Sequence, residues 1–173
     1  MKNKYKSLFW LVAVALGLSM LGGEYPLAVY RLLGYPSGFL SAFMLGMRVG
    51  FNEGHEILIE GLHGQIRLIA GCCGFSFFCI LCSFGVYSAL RLNSHQTKWR
   101  YIGAAFFLAY GVTIVTNTIR IVCSFHVHRI SQIIFPSVYL DIIHRGVGIS
   151  IFLTSLLIVS LFIERTVSYG TSQ

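Results

Sequence analysis

Two adjacent cysteines, Cys72 and Cys73, lie between glycines where an apolar run begins, in the stretch IAGCCGFSFF. A thiol is an effective nucleophile only as its thiolate, and the partial positive charge at a helix N-terminus favours that form. We therefore predict that the pair stands at a helix start, where one thiol can act as a nucleophile. The alternative is that these cysteines, like Cys79 and Cys82 deeper in the run, are small core residues.

A polar stripe follows the apolar stretch YGVTIVTNTIRIVCS. Thr113, Asn117, Arg120 and Ser124 fall at i, i+4, i+7 and i+11, with Thr116 beside them, so they share one helical face. In a membrane helix this face should point into the bundle, because an amide or a guanidinium in lipid is costly. Arg120 would then be a fixed cation inside the protein. The alternative is that it only snorkels at the helix end.

A histidine opens the last apolar stretch, DIIHRGVGISIF. His144 and Gly148 are one helical turn apart, and Gly146, Gly148 and Ser155 make a smooth face that a second helix can approach closely. A histidine at this boundary is either structural or a proton donor and acceptor. A cysteine nucleophile, a histidine and an arginine together make a set for acyl transfer.

The elements that must position these residues are membrane helices. The chain has 173 residues, of which 55% are hydrophobic and only 11% charged, and its mean hydropathy is +0.74. Soluble domains contain about 25% charged residues. We predict an all-α polytopic membrane helix bundle that forms a single domain over residues 1–173.

Four segments have the composition of transmembrane helices, and six spans are the upper limit. They are Ser7–Gly22, Gly74–Leu92, Trp99–Val122 and Gly146–Ile163. A bilayer core needs about 20 helical residues, so the first segment is short and is also compatible with a signal peptide. The apolar piece Phe39–Phe51 is shorter still and contains Arg48, which favours a re-entrant or interfacial segment.

The segment between the first two spans carries two further expectations. NEGHEILIEGLHG begins with Asn52 as a helix cap and keeps Ile59, Leu62 and Ile66 on one side. We therefore predict a short outer interfacial helix. The following QIRLIAG alternates between polar and apolar residues, so we predict that it is extended.

The basic residues predict the orientation of the chain. With an even number of spans, seven lysines and arginines but one glutamate fall on one side, while six arginines and five acidic residues fall on the other. The positive-inside rule then places both termini and the loop NSHQTKW in the cytoplasm. Cys72, Arg120 and His144 are consequently expected at one depth, at the outer membrane surface.

Three motifs resemble those of the exosortase/archaeosortase family. GCCGF is similar to that family's cysteine–small–glycine–hydrophobe motif, NTIRI to its asparagine-x-x-arginine-hydrophobe motif, and HRGVG to its histidine-x-x-x-glycine motif. Their order agrees with the family, and the resemblance covers roughly Gly61 to Phe162.

This resemblance implies a membrane-embedded cysteine protease or transpeptidase. Its substrates would be exported proteins that end in a short motif, a hydrophobic helix and a basic tail, cleaved at the outer face of the cytoplasmic membrane. By position, Cys72 is the nucleophile and Arg120 and His144 complete the triad. The supporting positions are Asn117, Cys73, Gly74 and Gly148. The lipid bilayer is the other partner, and no cofactor, metal or nucleic acid is implied.

Other functions remain open at this point. A four-helix membrane thiol oxidoreductase would use the cysteines, although a vicinal pair forms disulfides poorly. A haem or metal protein would use histidines, and the helical spacing of Glu56, Glu60 and His63 is similar to half of a carboxylate di-iron site. A noncatalytic accessory or transport subunit would use the polar face of the third span as a path or a contact.

Overall fold

A computed structural model describes residues 26–51, 56–62, 64–68, 73–90, 95–134 and 140–170, and most of them are helical. The helices are α1 (Pro26–Val29), α2 (Tyr35–Leu45), α3 (Phe75–Leu90), α4 (His95–Ile134) and α5 (Leu140–Gly170), with a π-helical turn, Tyr30–Gly34, between α1 and α2. An antiparallel sheet has the order β1 (Arg48–Phe51), β2 (Ile57–Gly61), β3 (Gly64–Leu68).

Among the described helices, two are long and apolar enough to cross a membrane. The stretches that qualify are Trp99–Ser131 of α4 and Arg145–Phe162 of α5. α3 is apolar over Phe75–Ala89 but is shorter than a span of this kind. The first predicted span, Ser7–Gly22, lies outside the described residues. The predicted helical character is therefore confirmed, with two membrane-type helices among the described residues, and the other two spans stay predictions.

The interfacial helix predicted over NEGHEILIEGLHG is wrong for the described residues 56–62, because they enter the sheet. The fold is mostly helical, as predicted, but it also contains this small sheet. Burial alternates along β2, where Ile57 and Ile59 are fully buried, and this is the period of a strand. Leu62, which the helical pattern placed on the apolar side, is fully exposed at the turn between β2 and β3. The apolar spacing fitted both periods, but two β-branched residues favour the strand. The predicted extended conformation is confirmed over Gln65–Leu68.

The apolar piece Phe39–Phe51 is divided between two elements. α2 ends at Gly46, whose left-handed conformation, with φ of 64°, lets its N–H close the last helical turn. The chain then turns back as β1. The ring of Phe51 reaches the ring of Tyr35, with centroids 5.4 Å apart, so β1 runs back along α2. This reversal places the sheet against the side of the helix.

α4 is the central helix and contacts α2, α3 and α5. The hydroxyl of Tyr110 donates to the carbonyl oxygen of Leu32 at 3.0 Å, and Asn117 Nδ2 donates to Ser37 Oγ at 3.0 Å. The partner of Tyr110 precedes the partner of Asn117 in the chain. α4 and the helical segment from α1 to α2 therefore run parallel. The pairing brings Ser37 to the polar face of α4.

α3 packs closely on α4 through Gly85. A Cβ atom at this position would lie 2.5 Å from the Cβ of Ala105, so a larger residue does not fit without a shift of the helices. Gly74, just before the other end of α3, lies against Thr113 and Asn117 of α4. α3 and α4 are therefore antiparallel, and the start of α3 meets the polar face.

An apolar core joins the sheet to α2 and α4. Its buried members are Tyr30, Leu33, Ala42, Ile57, Ile59, Leu68, Cys73 and Ile121. Gly38 lets the sheet approach α2, because a Cβ there would lie 2.9 Å from Ile57 Cδ1 and 3.0 Å from Leu68 Cδ1. The side chains of Ile57 and Leu68 thus pack directly on α2.

Tyr30 ties the π-helical turn to the sheet. Its hydroxyl donates to the carbonyl oxygen of Leu68 at 2.6 Å and accepts from the N–H of Ile57 at 2.7 Å. We expect Tyr30→Phe to lower the free energy of unfolding by about 1–2 kcal/mol, because two buried backbone groups lose their partner. Thermal unfolding of the detergent-solubilised protein measures this. Tyr101→Phe, at an exposed position of α4, is the control and should leave the midpoint unchanged.

The same tyrosine predicts a pH dependence. Desolvation by burial raises the pKa of the Tyr30 hydroxyl above its ordinary value of 10.0, against a lowering by the hydrogen bond from Ile57. The stabilisation is therefore fully present below about pH 10 and is lost as the pH rises through the folded-state pKa. Equal loss of stability above pH 10 in Tyr30→Phe and the unmodified protein would contradict this assignment.

Candidate active site

The polar face predicted for α4 points into the helix bundle. Thr113, Thr116 and Asn117 are at most 3% exposed, and Ser124 is 6% exposed. Arg120 is half-buried. Apolar residues on the opposite side of the same helix are exposed, as Val115 is at 52%. The sequence prediction of an inward polar face is confirmed.

Gly74, from the GCCGF motif, lies directly against this face. Its φ of 78° is a left-handed conformation, and its carbonyl oxygen accepts the N–H of Phe78 at 3.0 Å, which begins α3. A Cβ at Gly74 would lie 3.3 Å from Thr113 Cγ2 and 3.5 Å from Asn117 Cγ. The absence of a side chain therefore lets the backbone that follows the cysteine pair approach the Asn117 carboxamide.

Arg120 is held against α5 by an aromatic ring. Its guanidinium carbon lies 5.2 Å from the ring centroid of Phe152, within the range of a cation–π interaction. The Phe152 ring in turn stacks on Phe77 of α3, with centroids 4.7 Å apart and planes 19° apart. One arginine and two rings thus connect α3, α4 and α5 next to the polar face.

Gly148, from the HRGVG motif, borders the same arginine. A Cβ at this position would lie 3.4 Å from Arg120 Cδ and 3.9 Å from one terminal guanidinium nitrogen. The glycine therefore leaves room for the arginine side chain between α4 and α5. Of the predicted site residues, the structure brings Gly74, Asn117, Arg120 and Gly148 together.

Two members of the predicted triad cannot be placed in full. Cys72 lies outside the described residues, two positions before Gly74. The backbone of His144 lies in α5, one turn before Gly148, and its side chain is outside the described part of the chain. The proximity of these two side chains to Arg120 stays a prediction.

Cys73 belongs to the apolar core and not to an open surface. It is 5% exposed and packs in the cluster that contains Leu68 and Ile121. These apolar surroundings agree with the interpretation of Cys73 as a small core residue. Cys79 and Cys82 are also buried, within α3, which agrees with their interpretation as core residues.

Sequence reasoning missed three residues that organise this region: Ser37, Phe77 and Phe152. Ser37 is the hydrogen-bond partner of Asn117 Nδ2. The Phe152 ring lies against the Arg120 guanidinium and stacks on the Phe77 ring. A signal for α2 was present in the small residues at positions 34, 37, 38 and 41, a spacing that allows close helix packing. Phe152 follows Gly148 by one turn, so it lies on the same helical face.

The carboxylates near the sheet are paired with side chains of β3. Glu56 accepts from Arg67 Nε, and Glu60 accepts from Gln65 Nε2 at 2.7 Å. The hydrogen bond that Arg67 donates to Glu56 raises the pKa of Arg67, with a smaller contribution from the charge of Glu56. Because Ile57–Gly61 is a strand, Glu56 and Glu60 do not have the helical spacing that suggested half of a di-iron site, and His63 lies outside the described residues. Within the described ranges, no three metal-ligating side chains are grouped.

The arrangement holds the Asn117 carboxamide beside the backbone that follows Cys72, with the Arg120 guanidinium one helical turn away on α4. A guanidinium offers five N–H donors in a planar fork, suited to a developing oxyanion. Comparisons with protein-family models, with curated proteins and with solved structures give no match for this chain. The functional conclusion therefore depends on the residues themselves.

Proposed function

We propose that this protein is a membrane-embedded cysteine protease or transpeptidase that cleaves carboxy-terminal sorting signals of exported proteins at the outer face of the cytoplasmic membrane. The observation that supports it most is the meeting of three segments distant in sequence. Gly74 contacts Asn117, and Gly148 contacts Arg120. These four residues come from the three motifs that resemble the exosortase/archaeosortase family.

The exposure of α5 supports a position in the membrane. Only 6% of its apolar window is buried inside the protein, whereas the core helix of a soluble domain is mostly buried. Its exposed large apolar residues from Ile149 to Phe162 lie between the exposed Arg145 and Arg165, and Ile142 lies just before Arg145. At 1.5 Å per residue these arginines are about 30 Å apart along the helix, which matches the hydrocarbon thickness of a bilayer.

The depth of the site supports access from the outer side. Arg145 marks one end of the apolar stretch of α5, and Gly148, which borders Arg120, is one turn inside it. The charge distribution makes this end the outer one under the positive-inside rule. The proposed chemistry therefore takes place near the outer boundary of the bilayer, where an exported protein and water can both reach it.

The proposed mechanism assigns one step to each member of the triad. The Cys72 thiolate attacks the carbonyl carbon of the scissile amide, and a C–S bond forms as the carbonyl oxygen takes the negative charge. Arg120 stabilises this oxyanion. His144 protonates the leaving amine as the C–N bond breaks, which leaves a thioester on Cys72. His144 then deprotonates water or an acceptor amine, which attacks the thioester and releases the thiol.

Selective thiol labelling tests this proposal. A membrane-impermeant maleimide is added to right-side-out membrane vesicles at neutral pH, and the labelled peptides are identified by mass spectrometry. We expect Cys72 to react about tenfold faster than an unactivated thiol. The rate for free cysteine under the same conditions is the reference. Equal rates for Cys72 and free cysteine would instead favour a noncatalytic accessory subunit.

Comparison of protein carboxy-termini tests the reaction itself. Membrane and secreted fractions are prepared from cells that carry either the unmodified protein or Cys72→Ala, and the carboxy-terminal peptides are sequenced. Exported proteins should lose an apolar, basic-tailed segment only with the unmodified protein. Identical carboxy-termini in both strains, with both proteins present in the membrane, would exclude the proposed activity.

A further inference from the structure

The hydroxyl of Ser37 fixes the orientation of the Asn117 carboxamide. Ser37 is fully buried, and its single proton is donated within its own helix, to the carbonyl oxygen of Leu33 at 2.8 Å or of Gly34 at 3.1 Å. Its oxygen can therefore only accept from Asn117, and it accepts from Nδ2 at 3.0 Å. The hydrogen-bond network thus decides which end of the amide is nitrogen.

The other end of the amide is a buried acceptor. Asn117 is 1% exposed, and within the described residues no group donates to its Oδ1 atom. The carboxamide is planar, so with Nδ2 directed to Ser37 on α2, Oδ1 lies on the other side of Cγ. Buried polar atoms of this kind are nearly always hydrogen-bonded in folded proteins, so an exception calls for a ligand.

The surroundings of Asn117 indicate which ligand. Gly74 lies against the carboxamide and provides no side chain, two residues after Cys72. Because Oδ1 is an acceptor, a group that binds there must carry an N–H or O–H. A peptide that is held for attack by Cys72 brings such a donor with it, because each of its backbone amides has an N–H.

We propose that Asn117 Oδ1 is a binding site for a backbone amide N–H of the substrate peptide, and that Ser37 is a positioning residue that orients it. This inference rests on the proposed function, since it takes Cys72 as the reacting group. It adds a substrate contact that the triad does not contain. It also gives Ser37 a role through Asn117, because its hydroxyl oxygen accepts the hydrogen bond from Asn117 Nδ2.

Two alkylating reagents that differ in one donor test the inference. Iodoacetamide carries an amide NH2 on the carbonyl carbon attached to the reacting carbon, whereas methyl iodoacetate carries an ester oxygen at that position. With either reagent the Cys72 thiolate displaces iodide and forms an S–C bond. Each rate at Cys72 is measured by mass spectrometry on the full-length protein in vesicles and is divided by the rate for free cysteine. The ratio of the two normalised rates reports the preference for the N–H donor.

Ser37→Ala is expected to lower the iodoacetamide rate about three- to tenfold, the effect of one hydrogen bond, and to leave the methyl iodoacetate rate unchanged. Ser41→Ala is the matched control. Ser41 is also fully buried one turn along α2, but its hydroxyl donates only to the carbonyl oxygen of Ser37, at 2.6 Å. It should retain both rates. Ser37→Thr keeps the hydroxyl and should restore the preference.

Asn117→Leu keeps the test valid if Ser37→Ala does not fold. It replaces the amide by an apolar side chain of similar volume, and it should abolish the preference for iodoacetamide. An unchanged ratio in Ser37→Ala or Asn117→Leu, or an equal fall of both rates, would overturn the inference while the proposed function stands. If Cys72 of the unmodified protein reacts with neither reagent faster than free cysteine, the proposed function fails first and the inference with it.

Discussion

Replacing Arg120 by leucine is expected to lower the processing of exported proteins by about a hundred- to a thousandfold, while the protein remains in the membrane. Loss of one oxyanion donor has an effect of this size on turnover in acyl-transfer enzymes. Leucine fills part of the space between Gly148 and Phe152, so the contact between α4 and α5 is retained. The measurement is the fraction of substrate carboxy-termini that are processed at fixed times after induction.

Arg120→Lys separates charge from geometry. Lysine keeps the positive charge, but it cannot place a planar fork of donors over the Phe152 ring, so we expect no more than about a tenth of the original rate. Arg129→Leu is the control, because Arg129 is exposed on the same helix beyond the polar face. Comparable losses in Arg129→Leu and Arg120→Leu would show that net charge, and not the site, is responsible.

Gly74→Val is expected to reduce the free energy of unfolding by about 2–5 kcal/mol and to abolish processing. A non-glycine residue in a left-handed conformation costs about 1–2 kcal/mol, and an added side chain in a packed site costs about 1–3 kcal/mol. Both apply here, because φ is 78° and a Cβ would lie 3.3 Å from Thr113 Cγ2. Thermal unfolding in detergent gives the first effect, and carboxy-terminal sequencing the second.

Gly111→Val is the matched control for this substitution. Gly111 lies in α4 near the same end of α3, but no atom lies within 4 Å of a Cβ built there. Valine and glycine differ by less than about 0.5 kcal/mol in a helix interior, so stability should hardly change. If the two variants lose the same stability, the conformation of Gly74 is not the cause.

The polar face of α4 could be predicted from the sequence because two strong effects agree. The 3.6-residue period groups Thr113, Asn117 and Ser124, and the cost of a polar group in lipid turns that group inward. The meeting of Gly74 with this face followed from span order alone, since consecutive short-looped helices pack as neighbours. Local periodicity and connectivity were sufficient for these features.

The sheet could not be predicted in the same way. Between positions 57 and 68 the apolar residues satisfy a helical and a strand period over so short a stretch that neither excludes the other. What decides is the fit of Ile57 and Leu68 onto Gly38 of α2, a contact between segments that the pattern treats separately. The partner of Asn117 was hidden for the same reason, because nothing near position 117 identifies Ser37.

The hydrogen bond between Ser37 and Asn117 also bears on the order of folding. It joins residues 80 positions apart, whereas α3, α4 and α5 follow one another and pack as antiparallel neighbours. Closing a long loop costs more entropy than forming adjacent hairpins, so we expect α3 to α5 to associate first and α1, α2 and the sheet to dock afterwards. During synthesis α2 leaves the ribosome before α4 exists. The amide of Asn117 therefore acquires its fixed orientation only in the last stage of assembly.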